Sequence, residues 1–114
     1  MKIINAKNQA ILADNLIFAR GIFVRMKGLL GRRHLPKGAA LLIKRCNSVH
    51  TFFMRFPIDV LFVGKDNRVV KAISRLRPFR ISAVCWRSSF VIELPAGTIQ
   101  ATATSPNDQL LFSR

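Results

Sequence analysis

Three ionisable side chains stand among apolar residues and are the first candidates for chemistry: His50, Asp59 and Glu93. Asp59 lies in the apolar run of residues 58–63, and Glu93 lies near the end of another apolar run. A carboxylate buried in such surroundings is costly unless something compensates its charge. If they converge, an imidazole and two carboxylates could perform acid–base chemistry or bind one metal ion. The sequence therefore leaves open an enzyme or a metal-binding protein that uses these three residues.

A small soluble binding module is the function that the sequence favours most. The segment of residues 46–63 is almost wholly apolar, yet it carries His50, Thr51, Arg55 and Asp59. Polar side chains concentrated in the most apolar part of a chain need a reason to be there, because each must be desolvated. We therefore expect a site for a polar or anionic ligand near this segment, with Glu93 as a further member.

Each of these residues also has a purely structural interpretation. Asp59 could accept hydrogen bonds from backbone N–H groups of the loop before it, and His50 could donate to a carbonyl. Glu93 could pair with an arginine such as Arg55 or Arg80. Buried polar groups are normally satisfied in this way. Whether these residues have a structural or a functional role depends on what surrounds the carboxylates.

The charge of the chain points to a polyanion partner. Nineteen basic residues stand against five acidic ones, giving a formal net charge of +14. Eight Lys or Arg fall in the acid-free block of residues 20–45, and six fall in that of residues 68–87. Such a balance favours nucleic acid or another anionic surface. The alternative function is thus a nucleic-acid-associated basic protein, with Arg75, Arg77 and Arg80 as the polyanion-binding residues.

Two aromatic residues, Phe79 and Trp86, lie inside the second basic block. Aromatic side chains between cations have the composition of a single-stranded nucleic-acid surface, where bases stack on the rings. Large aromatic residues more often contribute to the core, however. We therefore expect both residues to be buried.

The remaining features bound the class of protein. A length of 114 residues predicts a single domain, residues 1–114. The first 15 residues lack the apolar run of a signal peptide, and no stretch approaches the roughly 20 apolar residues of a membrane span. The chain has two cysteines and two histidines, and it has no Gly-x-Ser-x-Gly or phosphate-loop motif. We therefore predict no cofactor and no metal site. We expect a cytoplasmic monomer.

The order of apolar and turn residues predicts a mainly β fold. Short strands are expected at residues 2–5, 10–13, 39–45, 58–63, 68–74, 81–86, 89–94 and 109–113. An amphipathic helix is expected over about residues 15–30, where apolar residues recur with a helical period behind Asp14 and Asn15 as N-cap candidates. Residues 98–104 fit either a short helix or a loop. The predicted fold is a sandwich or distorted barrel of seven or eight short strands with one covering helix.

Four motifs give a resemblance to a known family. GLLGR (residues 28–32), CNSVHTFFMRFPIDVLF (46–62), LRPFR (76–80) and ELPAG (93–97) occur in this order. The chain resembles, over nearly its whole length, the bacterial and archaeal family called domain of unknown function 192. The resemblance implies a compact, mainly β domain with one covering helix, and it carries no established activity. Asn107-Asp108 stands where the family usually has Gly-Asp, so we expect the C-terminal turn to be built differently.

Overall fold

The computed structural model describes residues 1–19, 35–44, 56–77 and 85–114 of the chain. In these ranges it has eight strands and one short helix. The elements, in chain order, are β1 (Lys2–Asn5), β2 (Ala10–Ala13), β3 (Asn15–Ala19), β4 (Ala39–Lys44), β5 (Ile58–Val63), β6 (Val69–Leu76), β7 (Phe90–Pro95), α1 (Thr98–Ala101) and β8 (Leu110–Ser113). The mainly β fold predicted from the sequence is confirmed.

The strands form two sheets. A three-stranded sheet has the order β2-β1-β8, and a five-stranded sheet has the order β3-β4-β7-β5-β6. Neighbouring strands are antiparallel, except that β3 and β4 are parallel. Among the described residues neither sheet closes on itself, so the arrangement is the sandwich of the two predicted architectures.

The core lies on both faces of the five-stranded sheet. Its inner face packs against the three-stranded sheet through residues such as Leu61 and Ile3. Its outer face carries a second apolar cluster that includes Val60 and Phe62. All six residues of β5 are buried, because the strand is covered on both faces. Each large side chain buried in this way contributes roughly 1.5–3 kcal/mol.

The predicted helix over about residues 15–30 is wrong at its beginning. Asn15–Ala19 is strand β3, which pairs with β4 along its whole length, from Asn15 beside Ala39 to Ala19 beside Ile43. Leu, Ile and Phe at positions 16–18 suit a strand, and pairing with β4 satisfies their backbone groups. Asp14 caps no helix here, because strand β3 follows it directly, and its N–H donates to the Gly38 carbonyl at 2.9 Å. The rest of the predicted helix, residues 20–30, lies outside the described residues.

The other predicted elements agree with the structure to within two residues, with one exception. The strand predicted for residues 81–86 is wrong at its end, because Trp86 stands in a turn; residues 81–84 lie outside the described ranges. The undecided stretch of residues 98–104 begins with α1. No helix in the described part of the chain is long and apolar enough to cross a membrane.

Candidate functional site

Asp59 is a fully buried carboxylate whose hydrogen bonds come from main-chain donors. It is 0% exposed. Its Oδ1 accepts the Arg75 N–H at 2.8 Å, and its Oδ2 accepts the N–H groups of Gly97 at 3.1 Å and Ile99 at 2.8 Å. The donors belong to β6 and to the start of α1, not to the loop before β5. The carboxylate thus ties β5 to two other elements.

The backbone that Asp59 holds is unusual at both of its contacts. Arg75 has φ 54° inside β6, next to an irregularity in the pairing with β5, and Gly97 has φ 97°. Gly97 is the N-cap of α1 and offers no capping side chain, so Asp59 supplies the cap from a neighbouring strand. A Cβ at Gly97 would lie 3.2 Å from Nη2 of Arg75. The geometry gives Asp59 the role of a structural anchor.

Glu93, the second carboxylate, faces the opposite side of the sheet. It is also 0% exposed, and it stands beside Val60 of β5, whereas Asp59 stands beside Leu94 of β7. Paired residues share a face, and consecutive residues alternate between faces. Val60 belongs to the outer cluster and Leu94 to the inner one. The structure therefore does not bring the two carboxylates together at one site.

The other predicted site residues are placed as follows. His50, Thr51, Arg55 and Arg80 lie outside the described residues, so their part in a site stays a prediction. Arg75 and Arg77 are exposed. Within residues 1–19, 35–44, 56–77 and 85–114, no three His, Cys, Asp or Glu side chains are grouped so that they could hold a metal ion.

A surface pocket with a volume of about 570 Å³ lies at the other end of β5, away from Asp59. We call it the turn pocket, because residues of three turns line it. Its lining residues are Gly64, Lys65, Asp66, Arg68, Val69, Val70, Trp86, Arg87, Ser88, Ser89 and Asn107. Its size is within the range of about 300–1,000 Å³ that is typical of small-ligand sites.

The three turns are at residues 64–68, 86–89 and 107, numbered in chain order. The first and third turns are held by main-chain hydrogen bonds. Asn67 N–H donates to the Gly64 carbonyl at 3.0 Å, and Gly64 N–H donates to the Arg68 carbonyl at 2.9 Å, which closes the β5–β6 hairpin. Asn107 N–H donates to the Val69 carbonyl at 2.7 Å. Asn67 and Asn107 both have positive φ, at 63° and 76°, which asparagine tolerates better than most residues. These two walls of the turn pocket are fixed by their own backbone.

The second turn carries Trp86 at its corner. Ser88 N–H donates to the Cys85 carbonyl at 3.0 Å, and Ser89 N–H donates to the Val63 carbonyl at 2.8 Å, which fastens the turn to the end of β5. The Trp86 side chain is 84% exposed. The prediction that Trp86 is a core residue is therefore wrong, and Phe79 lies outside the described residues.

The sequence contained a signal for the exposed tryptophan that our prediction did not use. Trp86 is followed by Arg87, Ser88 and Ser89, a polar run more typical of a turn than of a buried strand. Cys85, immediately before it, packs against the outer apolar cluster. The chain therefore leaves the core between Cys85 and Trp86.

The turn pocket is basic. Lys65, Arg68 and Arg87 line it together with one carboxylate, Asp66, so that three positive charges against one negative charge leave a local excess of two. Arg68 donates from Nη1 to the Asn107 carbonyl at 3.1 Å, and its Nε lies 3.7 Å from Oδ2 of Asp66. Lys65 and Arg87 are exposed. Arg68 is 54% exposed as well, so the pocket combines three exposed cations with an exposed indole.

Asp108 is a second carboxylate with a structural environment. Its Oδ2 accepts hydrogen bonds from Asn5 Nδ2 at 2.9 Å and from the Ser105 N–H at 2.9 Å, and Lys7 Nζ lies 3.1 Å away. Burial alone would raise the pKa of Asp108, but these hydrogen bonds and the Lys7 charge outweigh it and lower the pKa below its usual value. Asp108 therefore links β1 to the turn before β8.

Similar proteins confirm the family resemblance. The family profile described as DUF192, "Uncharacterized ACR", matches residues 3–112. The UPF0127 protein PF1050 of Pyrococcus furiosus is 31% identical over 102 residues, which cover 85% of each chain. The UPF0127 protein PH1112 of Pyrococcus horikoshii is 29% identical over 113 residues, covering 95% of this chain and 96% of the relative.

Two solved structures share the fold. A structure from Sinorhizobium meliloti, described as a "putative transcription regulator (R01717)", has a TM-score of 0.79 at 24% identity and covers 96% of this chain and 89% of its own. A protein of unknown function from Novosphingobium aromaticivorans has a TM-score of 0.77 at 19% identity and covers 97% of this chain and 82% of its own. At such identities the likeness concerns the fold alone. The match over residues 3–112 is broad enough to conclude that the chain belongs to the uncharacterised DUF192 family.

Proposed function

We propose that this protein is a small binding module for an anionic ligand and that the turn pocket is its binding site. The observation that carries the proposal is the local excess of two positive charges around a concavity of about 570 Å³ that also exposes a tryptophan. Arg68 is held by Asn107 and Asp66, so an anion would meet at least one guanidinium that is already oriented. Guanidinium groups bind phosphate and carboxylate oxygens through paired N–H donors.

The charge of the whole chain supports the same proposal. A net charge of +14 raises the local concentration of anions and speeds their association at low salt. The structurally similar protein described as a "putative transcription regulator" suggests nucleic acid among such anions, although its likeness at 24% identity concerns the fold. The site predicted around His50, Thr51, Arg55 and Asp59 remains a separate prediction. Asp59 itself contributes little to it, because three main-chain donors occupy its carboxylate.

Calorimetric titration with inorganic tripolyphosphate tests the proposal. The variant Lys65→Gln/Arg87→Gln removes two of the three exposed cations of the pocket and lowers the net charge from +14 to +12. The matched control Lys2→Gln/Lys37→Gln lowers it equally, at two exposed positions that do not line the pocket. We expect the pocket variant to bind roughly tenfold more weakly than the native chain, because two exposed ion pairs of about 0.7 kcal/mol each are lost.

The control variant should bind within about threefold of the native chain, because long-range charge acts weakly at physiological ionic strength. Equal weakening in both variants would mean that anions bind diffusely to the basic surface, and the proposal would then be wrong. Urea unfolding of both variants establishes that each is folded, since exposed substitutions usually change stability by less than about 0.5 kcal/mol.

A further inference from the structure

We infer that the anionic ligand of the turn pocket is a single-stranded nucleic acid, with one base stacked on Trp86. This inference rests on the proposed function and adds the chemical class of the ligand. Trp86 is 84% exposed although a tryptophan side chain gains more than most from burial. An exposed indole in the same pocket as three cations is the combination of aromatic and positive groups that binds single-stranded nucleic acid.

The main chain of the turn that bears Trp86 is fixed by hydrogen bonds. Its main chain is closed by the bond from Ser88 to Cys85 and fastened to β5 by the bond from Ser89 to Val63. Cys85, the residue before Trp86, packs against the outer cluster. The main chain of this turn therefore has little conformational freedom left to lose when a base binds to the indole, and preorganisation of this kind favours affinity.

The cations of the turn pocket suit the backbone of the same strand. Lys65 and Arg68 come from the turn at residues 64–68, and Arg87 directly follows Trp86, so two different turns contribute positive groups to the lining. A volume of about 570 Å³ accommodates about one nucleotide. A phosphate next to a stacked base would therefore have cations in the same pocket to bind it.

A duplex fits the pocket less well than a single strand. The faces of paired bases are covered by their neighbours in the stack, so an indole reaches them only after unstacking, which costs a few kcal/mol per step. In a single strand each base offers an open face. An acidic peptide could satisfy the cations, but it offers no planar ring to the indole.

The only tryptophan of the chain is a built-in reporter. Trp86 is the single tryptophan and the chain has no tyrosine. The tryptophan emission of the protein therefore comes from the turn pocket alone. Titration with a 12-residue oligothymidine should quench this emission. An abasic strand of the same length carries the same phosphates without bases, and we expect it to bind at least about fivefold more weakly, as expected for one stacked base.

Variants separate stacking from charge, with affinity followed by the anisotropy of dye-labelled strands. In Trp86→Ala the preference for oligothymidine over the abasic strand should disappear. In the matched control Phe18→Ala, which removes an aromatic ring that is 51% exposed outside the turn pocket, the preference should persist. Raising the salt concentration should weaken the binding of both strands, because phosphate contacts release counterions.

Three results would overturn the inference. They are equal affinity for the thymidine and abasic strands, tighter binding of a duplex, and equal binding of polyglutamate. Any of them, together with tripolyphosphate binding that depends on Lys65 and Arg87, would leave the anion site in place and remove only its nucleic-acid ligand. Tripolyphosphate binding that is indifferent to Lys65 and Arg87 would instead remove the proposed function itself.

Discussion

The two ends of strand β5 show two opposite ways in which a protein can place charge. At one end Asp59 is 0% exposed and its carboxylate is occupied by three main-chain N–H groups. At the other end the chain turns at Gly64, and exposed cations surround a concavity beside an indole that is 84% exposed. A charge whose hydrogen bonds are all internal stabilises the fold. A cluster of like charges left in water is available to a ligand.

The largest effect should come from Asp59→Asn. The asparagine amide keeps one acceptor oxygen, but its NH₂ group replaces the other and faces main-chain N–H donors. Buried hydrogen bonds are therefore lost, and two kinds of donor face each other. We expect the free energy of unfolding to fall by about 3 kcal/mol, since bonds to a charged group contribute about 1.5–3 kcal/mol each. Urea unfolding at pH 7 measures the change.

Asp66→Asn is the matched control, because its side chain is 65% exposed and its stability should change by less than about 0.5 kcal/mol. The folded fraction of Asp59→Asn should retain the tripolyphosphate affinity of the native chain. A variant at Asp59 that kept its stability and lost ligand binding would reverse the comparison and make this end of β5 the functional one.

A smaller effect should appear at Asp108 and should depend on pH. The pKa of Asp108 is lower in the folded chain than in the unfolded one, so the unfolded chain binds more protons between the two values. The stabilisation is therefore fully present above the usual carboxyl pKa of about 4 and is lost as the pH falls through the folded-state value. Urea unfolding of the native chain and of Asp108→Asn from pH 7 to pH 2 measures it.

The native chain should be the more stable of the two at pH 7, by on the order of 1 kcal/mol, and the difference should shrink in acid. Other carboxylates titrate in both proteins, so only this difference reports on Asp108. A difference that is constant over the whole pH range would show that Asn5, Ser105 and Lys7 stabilise the charged and neutral forms of the side chain equally.

The sequence was sufficient to predict elements whose patterns are local. The apolar run of residues 58–63 predicted a strand, and strand β5 has these bounds. The error at residues 15–19 has a nonlocal cause, because pairing with β4 decides between a helix and a strand there. Propensity is overridden where another strand can satisfy the backbone.

The candidate site was harder to predict for the same reason. The apolar neighbours of Asp59 correctly indicated that its charge needs compensation, but they could not indicate that the donors come from Arg75, Gly97 and Ile99, up to 40 residues away. The turn pocket joins three turns that are distant in sequence, at residues 64–68, 86–89 and 107. Its cations were visible in the sequence, whereas their convergence around Trp86 is a property of the sheet pairing.

The smallest effect on stability should come from Trp86→Ala, and that is what makes it the sharpest test of the comparison. An 84% exposed indole has few internal contacts to lose, so the free energy of unfolding should change by less than about 0.5 kcal/mol. Phe62→Ala, which removes a fully buried ring from the neighbouring β5, should instead cost about 3–5 kcal/mol. Urea unfolding of the two variants beside the native chain measures both. A loss of more than about 2 kcal/mol in Trp86→Ala would mean that the indole packs against the protein in solution, and the Gly64 end of β5 would then be stabilising the fold, as the Asp59 end does.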